Sequence, residues 1–412
     1  MRTVLVGRFL ALSLALMLSA SLLTGCDYKP SQFPELSKRS ESEKQFERID
    51  RAEAITDPIR RCIEYPSPPG VKWPAAMIEA FCRDVHTAAP RADTIKAMID
   101  RQDWNGLRSF YDGHLARHLS GEDQELVLYR AFPVNGWRNE DEAERYSRRW
   151  LRARPDDPYA NTLRAMYLVR RAWETRGTGF AREVSSDNMR RTMALAREAS
   201  VLLTRAIKVK PQLMPAYTTL IDAYVLGGRS DLMRRVAQAA SQESPDNFYV
   251  RAAAAEYLRL IWGGTPAELQ TIADDASDHV DRNPRLRLLL AKNKAELTYV
   301  RVSEKHYGRA LSSAREALEY GPDNHALHLA VTASDEVGYE SETIVYLSQI
   351  IRFNLATKEE WMQRGRLWEY NKFYSRALHD YRAALAIAPH DASIEQRIAE
   401  TIRKAGAAGN SH

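Results

Sequence analysis

The stretch "MPAYTTLIDAYVLGGRSDLMRRVAQAASQESPD", residues 214–246, decides the fold. Tyr217, Leu220 and Tyr224 recur at intervals of three and four, the spacing that gathers bulky side chains on one helix face. Gly228 supplies a turn, and Ala237 and Ala240 lie on the helix that follows. Small alanines let the two helices approach, the bulky residues fill the space between neighbouring hairpins, and Pro245 cannot extend the second helix. One such hairpin leaves an apolar face in water. Stacked copies bury that face continuously, so the pattern predicts an array.

The array is visible on either side. Pro211 precedes Pro245 by 34 residues, and Pro-Asp-Asp at 155–157, Pro-Asp-Asn at 245–247 and at 322–324, and Pro-His-Asp at 389–391 each follow a helical pattern; Pro284 stands in an equivalent place. The pattern resembles the tetratricopeptide repeat. Its clearest copy is the last, with Trp361, Gly365, Trp368, Tyr374, Ala377, Tyr381, Ala384 and Pro389; only Arg364, where an apolar residue is usual, departs from it. Counting back, Ala377, Ile344 and Ala310 are spaced 33 and 34 apart, and "YGRALSSAREALEYGPDN" (307–324) reads as a second half-repeat, although 286–301 fits poorly as its partner. Helical pairs upstream would contain "WNGLRSFYDGHLARHL" (104–119) and "EAERYSRRWLRARPDD" (142–157). The expected fold is an all-α solenoid of stacked helical hairpins.

A narrower resemblance covers roughly residues 93–300. "RQDWNGLRSFYDGHL", "AWETRGTGFA", "YTTLIDAYVLGG" and "LRLIWGGTP" are similar to a bacterial family of unknown function with tetratricopeptide-like helices. Its marks fall on Trp173, Arg176, Gly177, Gly179, Trp262, Gly263 and Gly264. The resemblance implies an architecture and brings no activity with it.

Two spacings are too long. Pro155 to Pro211 exceeds one period by 22 residues, around "WETRGTGFAREVSSDNM" (173–189), and Pro245 to Pro284 exceeds it by 5, at "WGGTP" (262–266). Both surpluses are expected in the turn inside a hairpin. All such turns lie along one edge of a solenoid, which would bring Trp173, Arg176 and Trp262 together, and insertions on one edge often form a binding face. The plainer reading, which accounts for every residue type, makes Gly177 and Gly263 helix stops, packs each Trp under its own loop, and starts a helix at Pro266. The alternative is a recognition surface built from Trp and Arg, the residue types that most often dominate binding energy. The glycines do not make a phosphate loop, because no Gly-Lys-Ser/Thr follows them.

The amino terminus carries its own signal. Arg2 and Arg8 precede "FLALSLALMLSASLL" and the tetrad Leu23-Thr24-Gly25-Cys26, which resembles a bacterial lipobox with Cys26 as the lipidation site. The resemblance implies cleavage before Cys26 and acyl chains that hold the protein on a membrane, at about 0.8 kcal/mol per buried methylene. The protein would then sit on the periplasmic face of a bacterial membrane, with Asp27 slightly favouring the inner one. Residues 27–41 lack periodicity and read as a flexible tether, with the fold beginning near Ser42. Cys62 and Cys82 would pair in such an oxidising compartment, within a helical cap over 42–92. The expected order is a lipoprotein signal (1–26), tether (27–41), cap (42–92), tetratricopeptide-like domain with insertions (93–300) and carboxy-terminal repeats (301–408).

Composition narrows the function. The chain has 412 residues, 44% hydrophobic and 27% charged, with a formal net charge of +5, too small to imply nucleic acid. His114 with His118, and His325 with His328, share helix faces, but neither pair has the adjoining Glu of a zinc hydrolase, and no metal is expected. No Gly-x-Ser-x-Gly elbow appears, and adjacent carboxylates such as Asp274 and Asp275 point to different helix faces. The basic run 145–155 follows "NEDEAE", with Asp141 and Glu144 four residues before Arg145 and Arg148, a spacing that neutralises charge locally. The sequence therefore predicts a non-enzyme without cofactor: a lipid-anchored scaffold, adaptor or assembly factor that binds protein partners of the cell envelope. The rival readings are an envelope enzyme acting on peptidoglycan or lipid-linked sugars, and a sensor of a small ligand.

Overall fold

A computed structural model of the protein describes residues 39–88, 90–134 and 140–409, and among them every regular element is helical. After α1 (Arg39–Glu53), α2 (Pro58–Glu64) and α3 (Ala75–His86), the chain winds into successive hairpins. These are α4 (Ala92–Asp100) with α5 (Trp104–Ser120), α6 (Glu125–Arg130) with α7 (Glu140–Ala153), α8 (Pro158–Arg176) with α9 (Ser186–Val209), and α10 (Met214–Leu226) with α11 (Ser230–Glu243). They continue as α12 (Phe248–Tyr257) with α13 (Pro266–Ser277), α14 (Lys292–Ser303) with α15 (Tyr307–Leu318), α16 (Asn324–Glu336) with α17 (Glu340–Arg352), and α18 (Lys358–Tyr370) with α19 (Tyr374–Ile387). The array closes with α20 (Ala392–Gly409). The molecule is an all-α solenoid.

The recurring Pro-Asp turns have a physical role in it. Proline ends one hairpin, and the Asp or Asn beside it caps the next helix: Asp157 accepts from the amides of Tyr159 and Ala160, Asn247 from Val250, and Asp323 from Ala326. Close helix packing explains Gly365, where a Cβ would lie 2.5 Å from the Tyr381 ring. The poor match of 286–301 also has a cause, since residues 284–291 wind as a tighter 3-10 helix before α14 begins.

The segment expected to cap the array at its amino end packs instead against the carboxy-terminal hairpins. Phe46, Ile49 and Ala52 of α1 join one core with Trp368, Tyr381, Ala384 and Ile394. Further along, Gln349 donates to the Pro66 carbonyl, Arg352 to that of Cys62, and the Trp73 indole to that of Leu318. Phe81 stacks on Phe353 at 4.8 Å. Asp84 of α3 and Glu125 of α6 then converge on Arg285, at 2.9 and 3.1 Å, and Tyr249 donates to Asp84. Residues 39–86 thus form a strap that runs back along the array before the chain folds forward as the solenoid. Cys62 and Cys82 are joined by a disulfide inside this strap.

Sealing has a consequence for α17. It is buried from Glu342 to Ile350, covered by its own hairpin on one side and by the strap on the other, as befits "TIVYLSQII", apolar nearly all round. The strap helix begins at Arg39, three residues before the expected start at Ser42. The signal segment 1–26, Cys26, and 27–38 of the expected tether lie outside the described residues. Among the described residues, no helix is long and apolar enough to cross a membrane.

Candidate functional site

In each hairpin the turn between its two helices lies at one end and the turn to the next hairpin at the other. The strap contacts of Leu318, Arg352 and Phe353 fall at the inter-hairpin end of α15 and α17. The opposite edge in the middle of the array, where α8 turns into α9 and α12 into α13, holds a cluster of aromatic rings.

The long spacing at 173–189 is absorbed differently from the sequence expectation. Helices α8 and α9 lengthen to 19 and 24 residues, so only 177–185 connect them. Trp173 and Arg176 therefore occupy the last turn of α8, whose rigid backbone fixes their direction, while Gly177, at φ +72°, ends the helix with its amide donating to the Trp173 carbonyl. The second surplus is a true turn. After α12 the chain makes one 3-10 turn, 260–262, stops at Gly263 in the left-handed region (φ +80°), and restarts at Pro266 with Thr265 as cap. Gly264 is required by approach rather than conformation, because a Cβ there would lie 1.9 Å from the Leu258 carbonyl oxygen.

Though 89 positions apart, Trp173 and Trp262 meet edge to face, with ring centroids at 5.9 Å. Tyr257 completes the cluster, at 6.5 Å from Trp173 and 5.6 Å from Trp262. The Arg176 guanidinium lies over both indoles, at 5.6 and 5.5 Å, and donates to the carbonyls of Gly177 and Gly179. Each aromatic pair is worth about 0.5–1.5 kcal/mol beyond area burial, and each cation–π contact about 0.5–1 kcal/mol at such partly exposed sites. Among the described residues Arg176 has no carboxylate partner. Sequence reasoning named Trp173, Arg176, Gly177, Gly179, Trp262, Gly263 and Gly264, and the structure gathers them at one edge.

It also places there residues that the sequence reading missed. Beneath the rings, Tyr257 donates a 2.6 Å hydrogen bond to Asp222 of α10; burial pushes that carboxyl up to about 6, and the bond from Tyr257 only partly opposes the shift. Arg259 and the amide of Leu260 fasten the turn to Glu296 of α14, at 2.6 and 3.1 Å. Burial works against the Glu296 charge, but hydrogen bonds from His325 and Arg259 prevail and hold its carboxyl down at about 2. Around this anchored cluster Phe180 is 55% exposed, Leu260 39% and Ile261 43%. Leu260 and Ile261 share the 3-10 turn of Trp262, and Phe180 follows Gly179, whose carbonyl Arg176 holds, so all three lie on the segments that carry the cluster.

The remaining candidates lie within the fold, and all but His118, whose buried Nδ1 has no hydrogen-bond partner among the described residues, are engaged there. His114 contacts Asp123 and Arg117, His325 contacts Arg259, and His328 contacts Glu360 at 3.4 Å. Among the described residues no three His, Cys, Asp or Glu side chains converge as a metal site. Within the basic run, Glu144 pairs with Arg148 and also with buried Arg164, while Arg149 pairs with Asp100. Tyr217 and Trp368 are buried, and Tyr224 and Trp361 half-buried against repeat cores.

Residues 91–244 match the model of a domain of unknown function (DUF4034). That match ends before Trp262, so the second turn lies beyond it. Similar solved structures include a tetratricopeptide repeat protein from Parabacteroides merdae, 13% identical, covering 72% of this chain and 98% of that one, with a TM-score of 0.31. Cut9 in the Cut9–Hcn1 hetero-tetramer of the APC/C is 11% identical, covering 87% and 66%, with a TM-score of 0.32. The TPR domain of P58(IPK) is 12% identical, covering 70% and 98%, with a TM-score of 0.26. A comparison with curated proteins finds no match. The hairpins here are of the tetratricopeptide type on their own geometry: spacings of 33 and 34 residues, alanines at the helix contacts, and a glycine against Tyr381.

Proposed function

We propose that this protein is a binding scaffold of the bacterial envelope, and that its partner docks on the edge formed by Trp173, Arg176, Tyr257 and Trp262. The observation that carries the reading is exposed apolar surface beside a rigid aromatic cluster. Phe180, Leu260 and Ile261 stand in water on the segments that carry rings already held in place by Arg176, Gly177, Gly263 and Glu296. Apolar side chains gathered beside preorganised Trp and Arg are the usual make-up of an energetic centre of recognition. Arg176, with no carboxylate partner among the described residues, favours a partner segment that presents an acidic group next to apolar ones. Binding of this kind needs no covalent chemistry and no cofactor.

The lipobox at Leu23–Cys26 supports attachment through acylated Cys26, with the solenoid on the periplasmic side and Asp27 favouring the inner membrane. Labelled palmitate should enter the wild-type chain and not Cys26→Ser; labelling of both, or of neither, counts against the anchor.

The docking edge is tested by placing a photocrosslinking amino acid at Phe180 or Ile261 in cells and recovering adducts. We expect a discrete partner that disappears when Trp173 and Trp262 are both changed to Ala, with helical content unchanged. Adducts that survive the double substitution in folded protein would move the site elsewhere.

A further inference from the structure

A second feature lies far from that edge, where strap and array meet. A cavity of about 370 Å³ is walled by Glu53, Arg61, Tyr65 and His86 from the strap and by Arg352, Asn354, Trp361 and His379 from the last hairpins. Arg352 is only 4% exposed. Its Nε donates to the Cys62 carbonyl and its Nη1 to Gln349, and the rings of Tyr65, Trp73 and Phe353 surround its guanidinium at 5.9, 5.8 and 4.8 Å. Among the described residues no carboxylate pairs with it, and its Nη2 has no hydrogen-bond partner. A buried charge without a counter-ion is costly, and proteins rarely keep one without use.

The rest of the wall shares this imbalance. Arg61, half-buried, has neither an ion pair nor a side-chain hydrogen bond among the described residues. The one carboxylate of the wall, Glu53, is already committed: Arg364 donates to both its oxygens, at 2.8 and 3.3 Å, and the Tyr65 hydroxyl donates at 2.7 Å. Asp380, behind the wall, is held by the same Arg364 and by His379. His86 uses Nε2 on the Arg352 carbonyl. Two arginines are therefore left to face a roomy cavity with no acid of their own.

We propose that this cavity binds a small molecule through a phosphate or carboxylate group, held between Arg61 of the strap and Arg352 of the array, with its body against the Trp361 ring. An anion there supplies the missing counter-charge and bridges two parts of the chain that are about 290 residues apart, so its binding stabilises the strap on the array. Arg supplies the fork geometry that both anions accept.

The experiment uses the full folded chain with its disulfide intact, titrated at constant ionic strength with inorganic phosphate and, separately, with succinate, while the thermal midpoint is followed. We expect a saturable rise with at least one of them, the effective anion identifying the chemistry. Arg61→Gln, at a side chain without partners, should leave the fold intact and raise the half-saturating concentration at least tenfold; Arg352→Met should abolish the response. A rise that never saturates, a response equal in wild type and Arg61→Gln, or no response to either anion overturns the proposal.

Discussion

Arg364 donates a 2.8 Å hydrogen bond to Glu53, across 311 positions of sequence, and two of 2.7 Å to Asp380. Arginine and aspartate are each 1% exposed in their side chains, so the charges are compensated by one another and not by water. The residue that breaks the pattern of the last repeat also helps to fasten the strap to it.

Removing that arginine should be expensive. Arg364→Ala leaves Glu53 and Asp380 without the cation they share, and breaking a buried pair from one side costs about 3–5 kcal/mol. Urea unfolding should show a loss of that order, together with early proteolysis between residues 39 and 90. A midpoint near that of wild type would mean that the strap is held by apolar packing alone.

Reduction should loosen the same segment. Cys62 and Cys82 are separated by 20 residues, and a cross-link closing a loop of this size contributes about 3 kcal/mol in the chain-entropy model. A reducing agent, or Cys62→Ser with Cys82→Ser, should lower the thermal midpoint by several degrees, and maleimide should label the native protein only after reduction.

Gly264→Ala tests the anchoring of Trp262. The added Cβ meets the backbone oxygen of Leu258, which cannot swing aside as a side chain would, so the turn must shift. Partner recovery at the docking edge should fall at least tenfold and Trp fluorescence should change, while global stability drops by only about 1–3 kcal/mol, the range for local overpacking. Unaltered recovery in a folded Gly264→Ala protein would show that the position of Trp262 does not matter.

Asp222 gives the molecule a pH dependence. Its carboxyl is raised from 3.8 to about 6, so between these values the folded chain holds its proton more tightly than the unfolded chain does. Its contribution to stability is present in full below pH of about 4, declines as pH rises through about 6, and is absent above. Asp222→Asn, which still accepts from Tyr257, should flatten the urea midpoint between pH 4 and 7 and be at least as stable as wild type at pH 7.5. A steep dependence retained in Asp222→Asn would assign it to another group.

Much of this molecule is legible in local sequence. Hairpins, their 33- and 34-residue spacing, the caps at Asp157, Asn247 and Asp323, and the stop at Gly263 all follow from helix periodicity and from backbone chemistry within a few residues. Repeat edges follow as well, which is why Trp173, Arg176 and Trp262 can be expected to share one. Local rules also allowed the wrong outcome at 173–189, because surplus residues with good helix propensity lengthen α8 and α9 at no cost when a long neighbouring helix offers them a face.

Only the tertiary structure decided where residues 39–86 go. A short amphipathic helix such as α1 declares that it has an apolar face, but not which of several similar helix surfaces will cover it; that choice was made by contacts hundreds of residues away, Glu53 to Arg364, Trp73 to Leu318 and Asp84 to Arg285. The same holds for Arg352, unremarkable at the end of a helix in sequence and enclosed by the strap in space. Periodicity fixes what each helix must bury, while the free energy of burial, which is non-directional, leaves the partner to be selected by shape and by the few charges that must be matched.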